Sequence, residues 1–383
     1  MTTLAATLAA RSINDDARAT LAKAHADGVT TVWDRHAAQE PRCGYCDLGL
    51  SCRICAMGPC RIDPFGEGPQ EGVCGADADI MVARNLGRMI AAGAASHSDH
   101  GRDLAETLLA VGEGRAPGYA IADEGKLRAL AREFGVTEEG RDALAVARDL
   151  AGEMLDEYGM RKGRLGFVGR MPPVRVEAWK RLGVSPRGID REVTEMMHRT
   201  HMGVDNDYVN ILLHGFRTAL ADGLGGSMIG TELSDVLFGV PVPTASTANL
   251  GVLRADQVNI LLHGHNPVVS EMVARAADDP ELKALAAKVG ATGINLAGLC
   301  CTGNELLMRR GIPMAGNHLM TELVLVTGAV DMMIVDYQCI MPSTPRIAGC
   351  YHTKFVTTSP KAKFPGADHR EFSAENAEAL ARE

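Results

Sequence analysis

The chain has 383 residues, of which 46% are hydrophobic, so it can bury a sizeable core divided into about two or three domains. Its formal net charge of -9, without a Lys/Arg-rich run, argues against a nucleic-acid partner. The sequence contains neither the roughly 20 uninterrupted apolar residues of a membrane-spanning helix nor the basic N-terminal segment of an export signal. We therefore predict a cytoplasmic protein.

Six of the ten cysteines are concentrated between residues 43 and 74, in CGYCDLGLSCRICAMGPCRIDPFGEGPQEGVC. In a reducing compartment such clustered thiols are more often metal ligands or redox centres than structural disulfides. Four of them have the spacing CxxCxxxxCx13C, which suits a [4Fe-4S] cluster. A zinc ion bound by four cysteines is the alternative. We favour the cluster, and its predicted ligands are Cys52, Cys55, Cys60 and Cys74.

The other two thiols of this segment, Cys43 and Cys46, form a separate CxxC motif. Two thiols are too few for an iron-sulfur cluster or a structural zinc ion, each of which takes four ligands. A thioredoxin-like redox pair is another interpretation, but this motif lies outside any βαβ context. Two copies of the chain, paired about a two-fold axis, would supply four thiolates. We therefore predict a homodimer with one cluster shared between the subunits.

Residues 1–240 mainly show the apolar spacing of helices, as in EGKLRALAREFG and GRDALAVARDLAGEMLDEYG. His97 and His100 are three residues apart and so lie on one face of a predicted helix, where neutral imidazoles can pass protons. A solvated polar helix face is the alternative for this pair. Further along, ADGLGGSMIG fits neither phosphate-binding glycine motif, and we interpret it as a turn.

From residue 241 to 383, short runs rich in Val, Ile and Leu alternate with helical segments. The predicted strands lie in VNILL, GINLAGL, MMIVDYQ and TKFVTTSP. Such alternation indicates βαβ units and a parallel sheet. The sequence thus predicts a mainly α N-terminal helical domain followed by a Rossmann-like α/β domain with a parallel sheet.

Residue types that bind metals follow three of these predicted strands. They are His263 and His265, Cys300 and Cys301, and Cys339. Ligands of open parallel sheets bind outside the carboxyl ends of the strands, so neighbouring strands would bring these side chains to one site. Ordinary core residues are the alternative, because buried cysteine and histidine also occur without a function. Cys350 has no comparable position, and for it we keep that alternative.

Several motifs of the chain occur together in one known family. In order they are CRICAMGPCRIDPFGEGPQEGVCG, AAGAASHSDHGRDLAETLL, MMHRTHMGVDND, HGHNPVVSEM, GLCCTGNELLMRRG and DYQCIMPS. In these motifs, and over nearly its whole length, the chain resembles the anaerobic nickel-containing carbon monoxide dehydrogenases. The resemblance implies a fold of the hybrid-cluster-protein and CO dehydrogenase type.

The resemblance implies a role for both groups of N-terminal cysteines. The set with the spacing CxxCxxxxCx13C matches the ligands of the family's [4Fe-4S] relay cluster, and Cys43 and Cys46 match the cluster shared between subunits. Ser51 stands where the longer-spaced version of the family has its second bridging thiol. The short form resembles the branch with a shared [2Fe-2S] cluster, and a shared [4Fe-4S] cluster stays open.

The resemblance also implies an active-site cluster of nickel, iron and sulfur. His265 and Cys301 match the ligands of its pendant iron, and Cys339 matches a ligand of its cubane portion. Cys300 resembles a cysteine that approaches nickel in some states. Cys301 and its partners are thereby expected at the centre that oxidises CO with water to CO2, two protons and two electrons.

Proton and electron transfer are implied in the same way. His97 and His100 match the start of the family's histidine relay, and Asp103 and Glu106 stand at its next two steps. The clusters would lead electrons to a ferredoxin-type acceptor. The alternatives are a hybrid-cluster enzyme of the hydroxylamine reductase type and a truncated relative that carries electrons without oxidising CO.

Chains of this family continue into a second parallel-sheet domain, which brings three more cysteines, including the one bound to nickel, and a lysine for acid-base chemistry. The present sequence stops at Glu383, and no cysteine follows Cys350. By ligand count His265, Cys301 and Cys339 cannot complete the nickel site. We therefore expect a fragment of a longer enzyme, with a natural truncation as the alternative.

Overall fold

The computed structural model describes residues 10–159 and 163–383, which form two compact units. The described parts of the helical unit are residues 41–114, 123–159 and 163–237. The sheet unit is discontinuous in sequence, and its described parts are residues 10–40, 115–122 and 238–383. The predicted change near residue 240 is thus close to the last passage from one unit to the other, whereas the N-terminal segment belongs to the sheet unit.

Helices α1 (Asp15–Ala26) and α2 (Val32–Ala37) precede the helical unit. The helical unit contains a short antiparallel ribbon and eight helices among its described residues. These elements are α3 (Gly44–Asp47), β1 (Ser51–Cys52), β2 (Cys60–Arg61), α4 (Ala78–Gly112), α5 (Glu124–Glu133), α6 (Ala143–Asp156), α7 (Pro173–Arg181), α8 (Ile189–Arg199), α9 (Tyr208–Ala221) and α10 (Ser227–Phe238). No helix in the described part of the chain is long and apolar enough to cross a membrane.

The 35-residue helix α4 organises the helical unit. Its first turn is capped by Asp77, whose carboxylate accepts a hydrogen bond from the Ile80 N-H at 2.9 Å. Small residues recur on its buried side at intervals of three or four, and they are Ala83, Gly87, Ala91, Ala94, Ser98, Gly101 and Ala105. Because such a stripe lacks long side chains, the backbones of α6 and α9 pack closely against α4.

Gly101 lies at the tightest point of this stripe. A Cβ added there would collide with the carbonyl oxygen of Gly226 and lie 2.8 Å from the Tyr158 hydroxyl. We expect Gly101→Ala to lower the free energy of unfolding by about 1–3 kcal/mol, the usual cost of overpacking. Gly93, on the exposed side of the same helix, has open space around it. Gly93→Ala should instead raise that free energy by about 0.5–1 kcal/mol, since alanine is the better helix former.

Chemical denaturation of both variants, beside the unsubstituted chain, measures the two effects. Equal stability of the Gly101→Ala and Gly93→Ala variants would contradict the close approach at Gly101.

The prediction of a turn in ADGLGGSMIG is wrong. Asp222–Gly226 form a π-helical segment that leads directly from α9 into α10. Leu224, Gly225 and Gly226 in this segment are buried. A Cβ on Gly226 would collide with Ser98 of α4. The glycines thus permit close helix packing and do not turn the chain, and π-helical segments of this kind are frequent at functional sites.

The sheet unit continues after α10 with strands that alternate with helices. Its elements are β3 (Val258–Gly264), α11 (Pro267–Ala276), α12 (Pro280–Lys288), β4 (Ile294–Leu299), α13 (Cys300–Arg310), β5 (Met314–Gly316), α14 (Thr321–Val326), β6 (Met332–Val335), α15 (Thr344–Ala348), β7 (Lys354–Thr357), β8 (Asp368–His369) and α16 (Ala377–Arg382). The strand order is β5-β4-β3-β6-β7-β8, and all of these pairs are parallel. The predicted combination of a helical region and a parallel α/β sheet is confirmed.

Both faces of the central strand β3 are covered. Leu261 belongs to a core that includes Leu21 of α1 and Leu323 of α14. The neighbouring Leu262 points to the other face and packs with Val273 of α11 and residues of α13. A strand buried on both sides needs consecutive apolar residues, which Ile260, Leu261 and Leu262 supply. Helix α1 is therefore part of the sheet unit because its apolar side covers one face of the sheet.

Candidate functional site

The cysteine segment of the helical unit folds around the ribbon formed by β1 and β2. Cys52 and Cys60 are directly paired across this ribbon. Gly58 lies inside the loop between them, where a Cβ would be 3.3 Å from the Cys52 carbonyl oxygen and the Cys60 nitrogen, and 3.5 Å from the Cys55 carbonyl oxygen. The loop thus wraps tightly, and all ten cysteines of the chain are free thiols.

The fourth predicted ligand, Cys74, returns to the same place from a distance in sequence. The Val73 N-H donates a hydrogen bond to Cys60 Sγ at 3.4 Å, which holds the returning segment against the loop. The Ala76 N-H and, to a smaller extent, the Arg84 guanidinium lower the pKa of the Cys74 thiol. Both donors favour the thiolate, which is the form that binds metals.

Cys43 and Cys46 stand at the start of α3, where Cys43 is the N-terminal capping residue. Both thiols are exposed. The Cys46 N-H, followed by the Cys46 thiol, lowers the pKa of Cys43. The Ser51 hydroxyl lies 3.6 Å from Cys46 Sγ. Both thiols are therefore accessible, as a ligand pair at a surface requires, and the contacts of Cys43 favour its thiolate.

Among residues 10–159 and 163–383, no three His, Cys, Asp or Glu side chains are arranged to hold a single metal ion. A structural zinc site would need four ligands within about 2.3 Å of one ion. An iron-sulfur cluster keeps its thiolates around a larger inorganic body and is stabilised by N-H donors to sulfur. Free thiols fit either group, and the Val73 N-H that donates to Cys60 Sγ is a donor of the kind that stabilises an iron-sulfur cluster.

A second group of candidate ligands lies in the sheet unit, at the carboxyl ends of three adjacent strands. Strand β3 pairs with β4 and β6, and His263 stands opposite Leu299 on one side and Val335 on the other. The segments that follow these strands therefore emerge at one edge of the sheet. They carry His265, Cys300, Cys301 and Cys339.

Burial and the neighbouring Cys339 raise the pKa values of the other two thiols at this edge. Burial and then the thiols of Cys339 and Cys301 raise the pKa of Cys300 to about 12. Burial, followed by the charges of Cys339 and Asp336, also raises the pKa of Cys301. Thiols crowded in this way keep their protons in the absence of a cation, and a bound metal ion deprotonates them. The donor set of imidazole and thiols fits a metal centre containing nickel and iron.

The backbone at this edge adopts conformations that non-glycine residues rarely use. Cys300 and Cys339 both have φ 56°, and Gln338 has φ 64°. Such strain clusters at functional sites, where the surrounding structure maintains it. The Cys339 carbonyl is fixed by hydrogen bonds from two imidazoles, His263 Nε2 at 3.2 Å and His318 Nδ1 at 2.9 Å.

The two histidines after β3 therefore differ in position. His263 is buried, and burial lowers its pKa to about 4, so the imidazole is neutral and supports Cys339. His265 is only partly buried and follows the end of the strand. Of the pair, His265 is the one placed to reach a ligand outside the sheet.

Asp336 connects the three strand ends, and the sequence reasoning missed it. Its buried carboxylate accepts hydrogen bonds from the His265 N-H at 2.7 Å, the Thr302 hydroxyl at 3.1 Å and the Tyr337 N-H. Burial raises its pKa to about 7. Gly264 is required beside it, because a Cβ there would collide with the carboxylate. The sequence feature that could have identified Asp336 is its position directly after the apolar strand MMIV, at the carboxyl end of a parallel strand.

In the helical unit, His97 and His100 lie on α4, as predicted. His97 is half exposed, and its Nδ1 lies 3.4 Å from Oδ2 of Asp222 in the π-helical segment. The Ser227 hydroxyl, at 3.1 Å, and the Ser98 hydroxyl donate to the other carboxylate oxygen. Burial raises the pKa of Asp222. Asp222 was also missed by the sequence reasoning, although it stands in the glycine-rich segment that we interpreted as a turn.

Cys350, for which no function was predicted, is exposed and donates a hydrogen bond to the Arg346 carbonyl at 3.4 Å. This contact is local, because Arg346 is only four residues before Cys350 in the sequence. Cys350 therefore offers a matched control for substitutions of the candidate ligands.

Comparison with known proteins identifies relatives along almost the whole chain. Residues 50–383 match the model of the Prismane/CO dehydrogenase family. Carbon monoxide dehydrogenase 1 of Methanosarcina acetivorans is 57% identical over 373 residues, which are 97% of this chain and 59% of that protein. Carbon monoxide dehydrogenase 1 of Carboxydothermus hydrogenoformans is 52% identical over 354 residues, or 91% of this chain and 55% of that protein.

Solved structures agree with this relationship. A nickel-free carbon monoxide dehydrogenase from Thermococcus sp. AM4 superposes with a TM-score of 0.96 at 52% identity, covering 100% of this chain and 60% of that one. A structure of acetyl-CoA synthase/carbon monoxide dehydrogenase, described with NiZn[Fe4S4] and NiNi[Fe4S4] clusters, has a TM-score of 0.92 at 43% identity and covers 97% of this chain and 55% of that one. The chain thus spans little more than half the length of these relatives. It belongs to the Prismane/CO dehydrogenase family.

Proposed function

We propose that the protein acts in the oxidation of CO with water to CO2, two protons and two electrons. The observation that supports this most is the convergence of His265, Cys301 and Cys339 at the ends of three adjacent parallel strands. These residues would hold part of a nickel-iron-sulfur centre, with Cys300 as a further thiol. When bound, such a centre supplies Lewis acidity towards CO and water and takes up the two electrons.

The residues of this chain would orient and protect that centre. Asp336 ties the segments after β3, β4 and β6 together through its three hydrogen bonds. His263 and His318 fix the Cys339 backbone. Since supporting contacts of this kind orient metal ligands and tune their basicity, we infer that Asp336 and His263 are positioning residues.

We further propose that His97 and His100 carry protons released in the reaction. The two histidines lie on one face of α4, and Asp103 and Glu106 follow at the same interval of three residues along the helix. Asp222, whose Oδ2 lies 3.4 Å from His97 Nδ1, would fix the orientation of the ring. This part of the proposal concerns the helical unit alone.

Electrons would leave through the cysteine segment. Cys52, Cys55, Cys60 and Cys74 would hold a [4Fe-4S] cluster, and the exposed Cys43 and Cys46 would share a second cluster with another copy of the chain. A ferredoxin-type protein would be the electron acceptor. The exposure of both Cys43 and Cys46 supports this assignment, since a shared ligand pair has to face a partner.

The shared cluster is tested by replacing both of its ligands in this chain with serine, as C43S/C46S. Iron should fall by about one atom per chain if the shared cluster is [2Fe-2S], or by about two if it is [4Fe-4S]. The dimer should dissociate more readily, which sedimentation at decreasing protein concentration measures. Unchanged iron and an unchanged monomer-dimer equilibrium, relative to Cys350→Ser, would rule out a cluster shared through this pair.

Metal analysis of the whole protein, purified without oxygen, tests the main proposal. Nickel near one atom per chain, together with CO-dependent reduction of a viologen dye, supports CO oxidation. Iron without nickel and without a response to CO contradicts it, and activity with hydroxylamine would then favour a hybrid-cluster enzyme.

A further inference from the structure

Arg84, in the second turn of α4, is the largest fully buried side chain among the described residues. Only 1% of its surface is exposed. Arginine is almost never fully buried unless a partner compensates its charge. Among the described residues, Nη2 donates to the Asn206 side-chain oxygen at 2.9 Å, and Nε has no hydrogen-bond partner. A neutral amide does not compensate a guanidinium charge, so the structure requires another negative group beside Arg84.

Cys74 Sγ provides that group. It lies 3.9 Å from Arg84 Nη1, within the range of a hydrogen bond to sulfur. The same thiol is a proposed ligand of the [4Fe-4S] cluster in this segment, and a cluster bound by four thiolates carries a net negative charge. A bound cluster would therefore compensate the buried guanidinium, and the guanidinium would in turn stabilise the negative charge of the cluster.

We propose that Arg84 sets the reduction potential of the [4Fe-4S] cluster held by Cys52, Cys55, Cys60 and Cys74, a proposal that rests on the cluster assignment made above. Reduction adds one electron to the cluster, and no bond is made or broken. A fixed positive charge beside a cluster ligand stabilises the reduced form more than the oxidised form. Arg84, whose guanidinium is permanently charged, thereby raises the potential and lets the cluster accept electrons more readily.

The test is a potentiometric titration of the cluster, followed by its EPR signal, in the metal-loaded protein. Arg84→Gln removes the charge and should shift the potential to a more negative value. Arg84→Lys keeps the charge and should shift it less. The matched control is Asn206→Ala, which removes the other partner of Arg84 at an exposed position and leaves the charge in place. Its potential should remain close to that of the unsubstituted protein.

Two results would overturn the proposal. One is a loaded Arg84→Gln protein that titrates at the unsubstituted potential. The other is a shift in Asn206→Ala as large as that in Arg84→Gln, because Arg84 would then act only by ordering the loop around Asn206. If the Arg84→Gln protein does not bind its cluster, pulsed EPR of the unsubstituted protein with ¹⁵N-labelled arginine tests whether Arg84 contacts the cluster. A weak nitrogen coupling to the reduced cluster supports the contact, and its absence contradicts it.

The iron content distinguishes a failure of the cluster assignment from a failure of the proposed role of Arg84. An unsubstituted protein without a [4Fe-4S] cluster contradicts the assignment of Cys52, Cys55, Cys60 and Cys74, and the role of Arg84 with it. A loaded cluster whose potential is insensitive to Arg84 contradicts the role of Arg84 alone. Neither measurement depends on CO.

Discussion

Replacing Cys301 with serine is expected to remove nickel from the protein and to abolish CO-dependent reduction of a viologen dye. Cys301 follows β4 and lies at the edge where the segments after β3 and β6 also emerge. Serine keeps the size of the side chain but is a much poorer ligand for soft metals at neutral pH. Removing a residue that only supports a metal ligand costs about 10–100-fold. Loss of a ligand itself should therefore lower the activity by at least about a hundredfold.

The matched control for this variant is Cys350→Ser. It makes the same chemical change in the same sheet unit, at a thiol whose contact is with the Arg346 carbonyl. Nickel, iron and activity should be unchanged. A Cys301→Ser protein that keeps both its nickel and its CO-dependent activity would exclude Cys301 from the metal centre.

The strand-end site could be anticipated because its ligands follow local signals. Each of β3, β4 and β6 is an apolar run, and a histidine or a cysteine comes within a few residues of its end. A parallel sheet brings such ends to one edge. The pattern does not predict the order of the strands. Strand β3 lies between β4 and β6 because both of its faces are buried by packing.

The residues that support the site were less predictable, since their partners are remote in sequence. Asp336 accepts from the N-H of His265, 71 residues away, and Asp222 contacts His97 across 125 residues. Arg84 and Asn206 are 122 residues apart. A single sequence does not indicate which distant residue a polar side chain will contact. The packing partner of α1 was equally unpredictable. The apolar side of this helix indicates that it is buried against another element, but it does not identify that element as the sheet.

The glycine-rich segment 222–226 illustrates a different limit. Glycine permits both turns and close backbone contacts, and composition alone does not distinguish them. Here Gly226 faces Ser98 of α4, and no turn is formed. The long stripe of small residues on α4 was the signal that close helix packing takes place in this region.

Replacing Cys52 with serine should also have a large effect. The metals that this variant loses and keeps should be the reverse of those lost and kept by Cys301→Ser. Cys52 is buried in a small core with Leu50, Ile62 and Met81 and is paired with Cys60 across the ribbon. Without this ligand we expect the protein to lose about four iron atoms per chain, together with the EPR signal of the reduced [4Fe-4S] cluster. Since metal binding also stabilises the fold around it, the segment should become more sensitive to proteolysis.

Nickel should remain in the Cys52→Ser protein, because the residues proposed for the nickel-iron-sulfur centre belong to the sheet unit and Cys52 to the helical unit. Electron transfer to an external acceptor should nevertheless fall to background. Cys301→Ser should conversely lose nickel and keep the [4Fe-4S] signal. Met57→Ala, an exposed position in the same loop as Cys52, serves as the control and should preserve both metals. If Cys52→Ser and Cys301→Ser lost the same metals in the same proportion, the two sets of residues would belong to one centre, and the separation of catalytic site and electron path proposed here would be wrong.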